Sequence, residues 1–264
     1  MSSHVVKDAE ALLARGKSQE ARKLLLGAGY GRSLDTQAQQ AFERLFPPDA
    51  ELEKQLQSTL SSLRKGQLEA RRKAATWLAR EACKESRPAW LGDPRTTAIL
   101  TEAFKDEDPK VVDEAITAFG ATAGLWHEDF RAYPAVLELL KSKSKRTRMW
   151  AVHTAWLLAG ADALVHLLSL FKDKAEDVRA AAIASPAAVV KGGGAIPAEL
   201  RQRLRGPLEE ALSDKSIDVR MGAISSLEAL KDASVIGPLQ KALEVETDPI
   251  VKEILELTLQ RLQG

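Results

Sequence analysis

The segment DKAEDVRAAAI, Asp173 to Ile183, returns 41 residues later as DKSIDVRMGAI, Asp214 to Ile224, with two aspartates, valine, arginine, alanine and isoleucine in register. Self-similarity of this kind constrains a fold strongly, because each copy must be one supersecondary unit that buries its apolar face against the next. Aligned on the valine and arginine, two further copies are DEDPKVVDEAITAF (Asp106 to Phe119) and ETDPIVKEILELTL (Glu246 to Leu259). Weaker ones are KGQLEARRKAATWL (Lys65 to Leu78) and KSKRTRMWAVHTAW (Lys143 to Trp156). The anchors Ala70, Val111, Thr147, Val178, Val219 and Val251 stand 31 to 41 residues apart, a two-helix repeat length.

Each copy reads as a helix start followed by a buried stripe. An aspartate, twice followed by proline (Asp108-Pro109, Asp248-Pro249), caps the first turn, where its carboxylate accepts unpaired N–H groups and proline is tolerated. Val219, Ala223 and Leu227 then fall four apart on one face, and the small alanine lets a neighbouring helix approach. A partner helix precedes each motif: YPAVLELLKS, ALVHLLSLFKD, LRGPLEEALSD and VIGPLQKALEV. Aromatic residues are only 5% of the chain and no segment alternates apolar with polar as a half-buried strand does. The expected fold is all-α, an α-α superhelix of about six helical pairs.

The pattern L..aL.D....VR..AI..L resembles HEAT repeats, especially the bacterial kind first described in phycobilisome lyases, over roughly residues 50 to 262. The family's arginine stands at Arg71, Arg148, Arg179 and Arg220, is Lys252 in the last copy and is replaced by Val112 in the third. The resemblance implies a ladder between adjacent repeats, with Arg148, Arg179 and Arg220 as its cations and Asp177 and Asp218 among its acids. Partly exposed pairs of that kind contribute ~0.2–1 kcal/mol each.

Residues 1–48 lack the motif. They read as two short helices around Gly16-Lys17-Ser18 and a third ending at Pro47-Pro48, an N-terminal helical cap, vaguely tetratricopeptide-like, with Arg15, Lys17, Glu20 and Arg22 on its polar outer face. Residues 49–264 form the solenoid. Two segments interrupt it. Ser185-Pro186 predicts a kink or helix end, followed by a loop at KGGGAIPAEL that lengthens the repeat. RPAWLGDPRT, Arg87 to Thr96, joins two repeats.

Catalytic chemistry finds little support. The glycine run lacks the Gly-Lys-Ser/Thr ending of a phosphate-binding loop and follows no strand. The four histidines form no H-x-x-x-H, there is no C-x-x-C, and no serine sits in a G-x-S-x-G turn. Cys83 reads as a small buried or half-buried core residue, and WHEDF, Trp126 to Phe130, as a solvated turn. Neither a metal nor a cofactor is expected, and the protein is expected not to be an enzyme. Trp77, Asp113, Arg148 and Trp150 invite comparison with the HEAT-like alkylpurine DNA glycosylases, but Pro109 stands where that family's tryptophan precedes its aspartate. A net charge of +1 commits the chain to no polyanion, no window of 18 uncharged apolar residues offers a membrane span, and the N-terminus lacks an export signal. A cytoplasmic location is expected.

Function then falls to surface. In the fold the resemblance implies, the second helices line the concave side, and the residues after the arginine point into it. These are Arg72, Lys73 and Thr76, then Asp113, Glu114 and Thr117, then Met149, Trp150 and His153. The last sets are Ala180, Ala181 and Ala184, then Met221, Gly222 and Ser225. The change from basic through acidic to aromatic and small suits a protein partner better than a phosphate track, which keeps one sign. Trp150 reads either as an interface anchor or as packing against the next repeat. The basic run around Lys141, Lys143, Lys145 and Arg146, with Arg64 to Lys73, forms either a positive edge or solvated turns. The expected activity is protein docking that regulates or inhibits the partner held; a nucleic-acid binder and a lyase-like chaperone of a prosthetic group are the alternatives.

Overall fold

The computed structural model describes residues 4–123 and 129–263. Among these residues every regular element is a helix, and the chain forms two compact units, Met1–Leu139 and Leu140–Gly264. Trp126, His127 and Glu128 of the expected solvated turn lie outside the described residues.

The first unit opens with α1 (His4–Ala14), α2 (Ser18–Tyr30) and α3 (Thr36–Leu45). Ala9, Ala21, Leu25, Ala38 and Phe42 fill the space between them, and the Tyr30 ring meets Phe42 edge-on at 5.6 Å. Next come α4 (Ala50–Gln57) and α5 (Thr59–Lys65), one helix interrupted at Ser58, and then α6 (Leu68–Ala82). α7 (Pro94–Ala103) and α8 (Pro109–Thr122) form the following pair, α9 (Tyr133–Leu139) closes the unit, and α6 packs along α8. Both Asp-Pro starts behave as capping chemistry requires: Asp93 accepts the Arg95 N–H and Asp108 the Val111 N–H, with proline in the first turn.

Asp93 and Asp129 stand at equivalent places before α7 and α9. Each accepts the backbone N–H two residues on and grips the guanidinium of that same residue, Arg95 or Arg131. Nη2 of Arg95 also donates to the Phe46 carbonyl at 3.2 Å, and Nη2 of Arg131 to the Pro94 carbonyl at 2.9 Å. The same cations cover aromatic faces, Arg95 lying 5.7 Å from the Phe42 ring centre and Arg131 4.5 Å from that of Tyr30. Burial pushes the Tyr30 hydroxyl up to about 12. The N-terminal helices are thus bonded to the pairs that follow them within a single unit.

The second unit contains α10 (Lys145–Ala159), α11 (Ala161–Leu167) with a 3₁₀ turn at Leu168–Lys172, and α12 (Glu176–Lys191). It continues with α13 (Ala198–Ala211), α14 (Ile217–Ala229), α15 (Ile236–Val245) and α16 (Pro249–Gln263). α10, α12, α14 and α16 pack in a row, each on the next. In chain order the described helices after α3 run as six first and second helices, with α4 and α5 counted as one. Only Gly160, at φ 56°, separates α10 from α11, which accounts for the shortest anchor spacing.

Pro186 neither ends α12 nor opens a loop there; the helix continues to Lys191. Proline leaves the Ala182 carbonyl without its usual donor, and the Ser185 hydroxyl supplies one at 2.6 Å. From α14, the Ser226 hydroxyl donates to the Ile183 carbonyl at 2.7 Å and accepts the Ala187 N–H at 3.3 Å. The glycine run is the helix stop. Gly193 takes φ 86°, its N–H reaches the Val190 carbonyl, and the Gly194 N–H reaches that of Val189, the paired bonds of a Schellman end. At the far side of the row, α16 exposes Lys252, Glu256 and Gln260 where α12 carries Arg179, Ile183 and Ala187.

Candidate functional site

The recurring arginine bridges consecutive pairs. Arg179 Nε and Nη2 donate to the Asp214 carboxylate at 2.9 Å each, while Nη1 donates to the Asp173 carbonyl at 2.9 Å. Arg220 does the same with Glu246 (2.7 and 3.0 Å) and the Asp214 carbonyl, and Arg148 with Asp173 (2.7 Å twice) and the Ser142 carbonyl. In the first unit Arg71 pairs with Asp106 at 2.8 Å, and Val112 takes the arginine position on α8.

The acids differ from the expected Asp177 and Asp218. Asp173, Asp214 and Glu246 stand in the turn before the second helix, each accepting an N–H two residues on, so their carboxylates face back towards the preceding arginine. Asp177 and Asp218 lie past the helix start; Asp177 holds Lys145 at 3.1 Å and Asp218 is exposed. The pairs are also more buried than surface pairs, the Arg148 and Asp173 side chains being 7% and 8% exposed. Burial pushes the Asp173 and Asp214 carboxyls up, but the guanidinium and backbone N–H bonds outweigh it, and both lie below the ordinary range. For Glu246 the Arg220 bond leads a shift in the same direction.

In the second unit the positions beyond the arginine form a partly exposed strip. Met149, Trp150 and His153 on α10 are half-buried, and the Trp150 and His153 rings meet edge to face at 6.2 Å. Burial lowers the His153 pKa, so the imidazole beside Trp150 is neutral at neutral pH. Ala180, Ala181 and Ala184 occupy the equivalent positions on α12, with Met221 and Ser225 on α14. Gly222, expected in this lining, is buried against α12: a Cβ there would stand 3.5 Å from that of Ala184. The strip is therefore an aromatic step beside a floor of methyl groups.

The basic turn before α10 keeps Lys141, Lys143 and Arg146 exposed, while Lys145 is drawn to Asp177. Arg148 is withdrawn from any phosphate by its bonds to Asp173, which removes one leg of the glycosylase comparison.

In the first unit the expected lining is differently disposed. Arg72 donates to Asp108, and that bond is the leading cause holding the Asp108 carboxyl below its usual range. Lys73 is exposed and Asp113 half-buried, whereas Glu114 is buried and offers no acidic surface, because α8 is covered around nearly its whole circumference. The Arg64 to Lys73 run is largely neutralised, Arg64 by Glu102, Arg71 by Asp106 and Glu107, and Arg72 by Asp108. Trp77 is 37% exposed and stacks on Trp90 at 6.0 Å with the rings 10° apart. Cys83, expected in the core, follows the last turn of α6 and is exposed.

Residues 97–186 match the sequence profile of HEAT repeats. That third of the chain carries HEAT repeats. Among curated proteins, none matches the chain. Solved structures that resemble it include an engineered protein at 18% identity, covering 81% of this chain and 97% of that one with a TM-score of 0.62. A computationally designed armadillo repeat protein for modular peptide recognition is 20% identical over 76% of this chain and 97% of its own, with a TM-score of 0.59. A designed armadillo repeat protein in complex with the peptide (KR)4 is also 20% identical, over 77% and 98%, with a TM-score of 0.61. At these identities the likeness is one of fold.

Beyond the HEAT-repeat arginines, sequence reasoning missed the Asp93–Arg95 and Asp129–Arg131 clamps. Their signal is local: D-P-R and D-F-R place a guanidinium two residues after a capping aspartate, close enough to fold back on it. Among the described residues no three His, Cys, Asp or Glu side chains gather as a metal site would require, and no helix is long and apolar enough to cross a membrane.

Proposed function

We propose that this protein is a non-catalytic scaffold that holds a partner protein on the exposed side of its second helices. The observation that carries this reading is the half-buried Trp150, set edge-on against His153 beside the methyl floor of Ala180, Ala181 and Ala184. A fixed indole next to small side chains suits a bulky apolar residue of a partner, because both surfaces are ordered before contact and little side-chain entropy is lost on binding. The exposed Lys143 and its neighbours steer an acidic rim towards that anchor. The designed armadillo proteins of similar fold, one made for modular peptide recognition and one complexed with a peptide, lend the reading general support. Such a scaffold acts by occupancy, regulating or inhibiting the partner it holds, and residues before about 48 serve as its N-terminal cap.

Affinity capture from the native cell, run in parallel with Trp150→Ala and Ala184→Arg, tests the proposal. A stoichiometric partner retained by the parent and lost in both variants, with melting curves showing both folded, is the expected result. A partner held equally by both variants places docking elsewhere, and no partner at all removes the scaffold reading.

A further inference from the structure

The first unit contains an open cavity of about 1060 Å³ between α2, the segment after α3, and the turn leading into α7. Its floor is apolar, made by Leu26, Phe46, Leu52 and Trp90. Trp90 is held from behind by the Trp77 ring, so this wall is rigid. Arg22, Lys23, Arg32 and Arg95 line the same cavity with only two acids, Asp49 and Asp93.

Both acids are already engaged. Asp93 receives the Arg95 backbone N–H and guanidinium, at 3.0, 2.7 and 2.8 Å, with Arg22 a further 3.5 Å away. Asp49 caps α4 by accepting the Leu52 N–H at 2.8 Å. Four cations against two carboxylates give the lining a net charge of +2. Arg22, expected on the polar outer face of the cap, instead lies over the Phe42 ring at 5.3 Å and faces this space; Lys23 is exposed beside it.

We infer that this cavity is a second binding site, for an acidic peptide segment carrying bulky apolar side chains. The volume lies just above the roughly 300–1,000 Å³ typical of small-ligand sites, and an apolar floor with a cationic rim matches an extended segment in which Glu or Asp alternates with Leu or Phe. A ligand recognised by charge alone would have no use for the floor. The site is independent of the Trp150 strip, on different helices in a different unit.

Fluorescence anisotropy of the full chain with a labelled peptide of roughly ten residues, alternating Glu with Leu and Phe, tests this. Saturable binding is expected, weakened at least about tenfold by Lys23→Glu with Arg32→Glu, and similarly by replacing Leu and Phe with Ser in the probe. Trp150→Ala leaves it unchanged, and hydrogen exchange slows in α2 and around Phe46 on binding. Both charge reversals are at positions open to solvent, and circular dichroism melting verifies that the variant folds. The inference falls if the parent shows no saturable binding, if a Lys-for-Glu probe binds equally, or if the double variant binds undiminished. It falls equally if the Ser-substituted probe or a polyphosphate binds as tightly as the original, since the floor would then contribute nothing.

Discussion

Ser226 on α14 and Ile183 on α12 are joined side chain to backbone: the serine hydroxyl donates to the Ile183 carbonyl at 2.7 Å, beside Pro186, and accepts the Ala187 N–H. The bond is buried, and replacing Ser226 by alanine leaves polar backbone groups short of a partner inside the row of helices. Ser226→Ala is expected to cost about 1–3 kcal/mol in urea unfolding. In a Pro186→Ala background the cost shrinks by at least about 0.5 kcal/mol, because α12 regains its own N–H donor at that position. Equal costs in both backgrounds would separate the serine from the proline.

Arg179→Met removes the forked bond to Asp214 and the bond to the Asp173 carbonyl while keeping the apolar stem. A loss of about 2–3 kcal/mol is expected, with partner capture unchanged when the variant is assayed well below its melting temperature. Loss of capture in a folded variant would assign the arginine a binding role.

The ladder also predicts an acid limit. Asp214 is depressed in the folded state, so its stabilising contribution is complete above the unfolded value of about 3.9 and is lost as pH falls through the folded one. In a His153→Gln background melting temperatures should hold until about pH 4 and then fall, less steeply when Arg179→Met is added, where Asp214 has no cation to lose.

His153 acts at a higher pH for a different reason. Burial depresses its pKa, so protons bind the unfolded chain first once pH drops below about 6.5, and stability declines from there. Melting between about pH 7.5 and 5.5 should show this decline in the parent and not in His153→Gln. An NMR titration placing His153 at or above the ordinary histidine value would contradict it.

A methyl group added at Gly193 would enter open space, but φ there is 86°, so Gly193→Ala meets only backbone strain. The expected cost is about 1 kcal/mol by denaturant titration, whereas Gly192→Ala, which lacks a positive φ, should be nearly neutral.

The helical pairs were legible because the residues that stack must recur: Val178, Val219 and Val251 are fully buried, and the arginine beside the first two reaches the next turn. Which acid received it was not legible. DKAEDVR offers Asp173 and Asp177 at similar remove, and only the direction of the turn decides between them. Burial around α8 escaped as well, since Glu114 carries no mark in sequence of a helix covered on nearly all sides. The cavity lined by Arg22 and Trp90 joins residues far apart in the chain through cation and aromatic contacts, which follow no helical period.

The charged outer side of α16 bears on polymerisation. A row of like helices has no intrinsic length, and a copy that could add to its end by the same contacts would add without limit, giving an open filament rather than a closed assembly. A helix docking on α16 as α16 docks on α14 would carry Glu256 out of water, where α12 and α14 place Ile183 and Ile224. Replacing Lys252, Glu256 and Gln260 with the residues of α12 would remove that barrier and favour the docking of a further helix on α16.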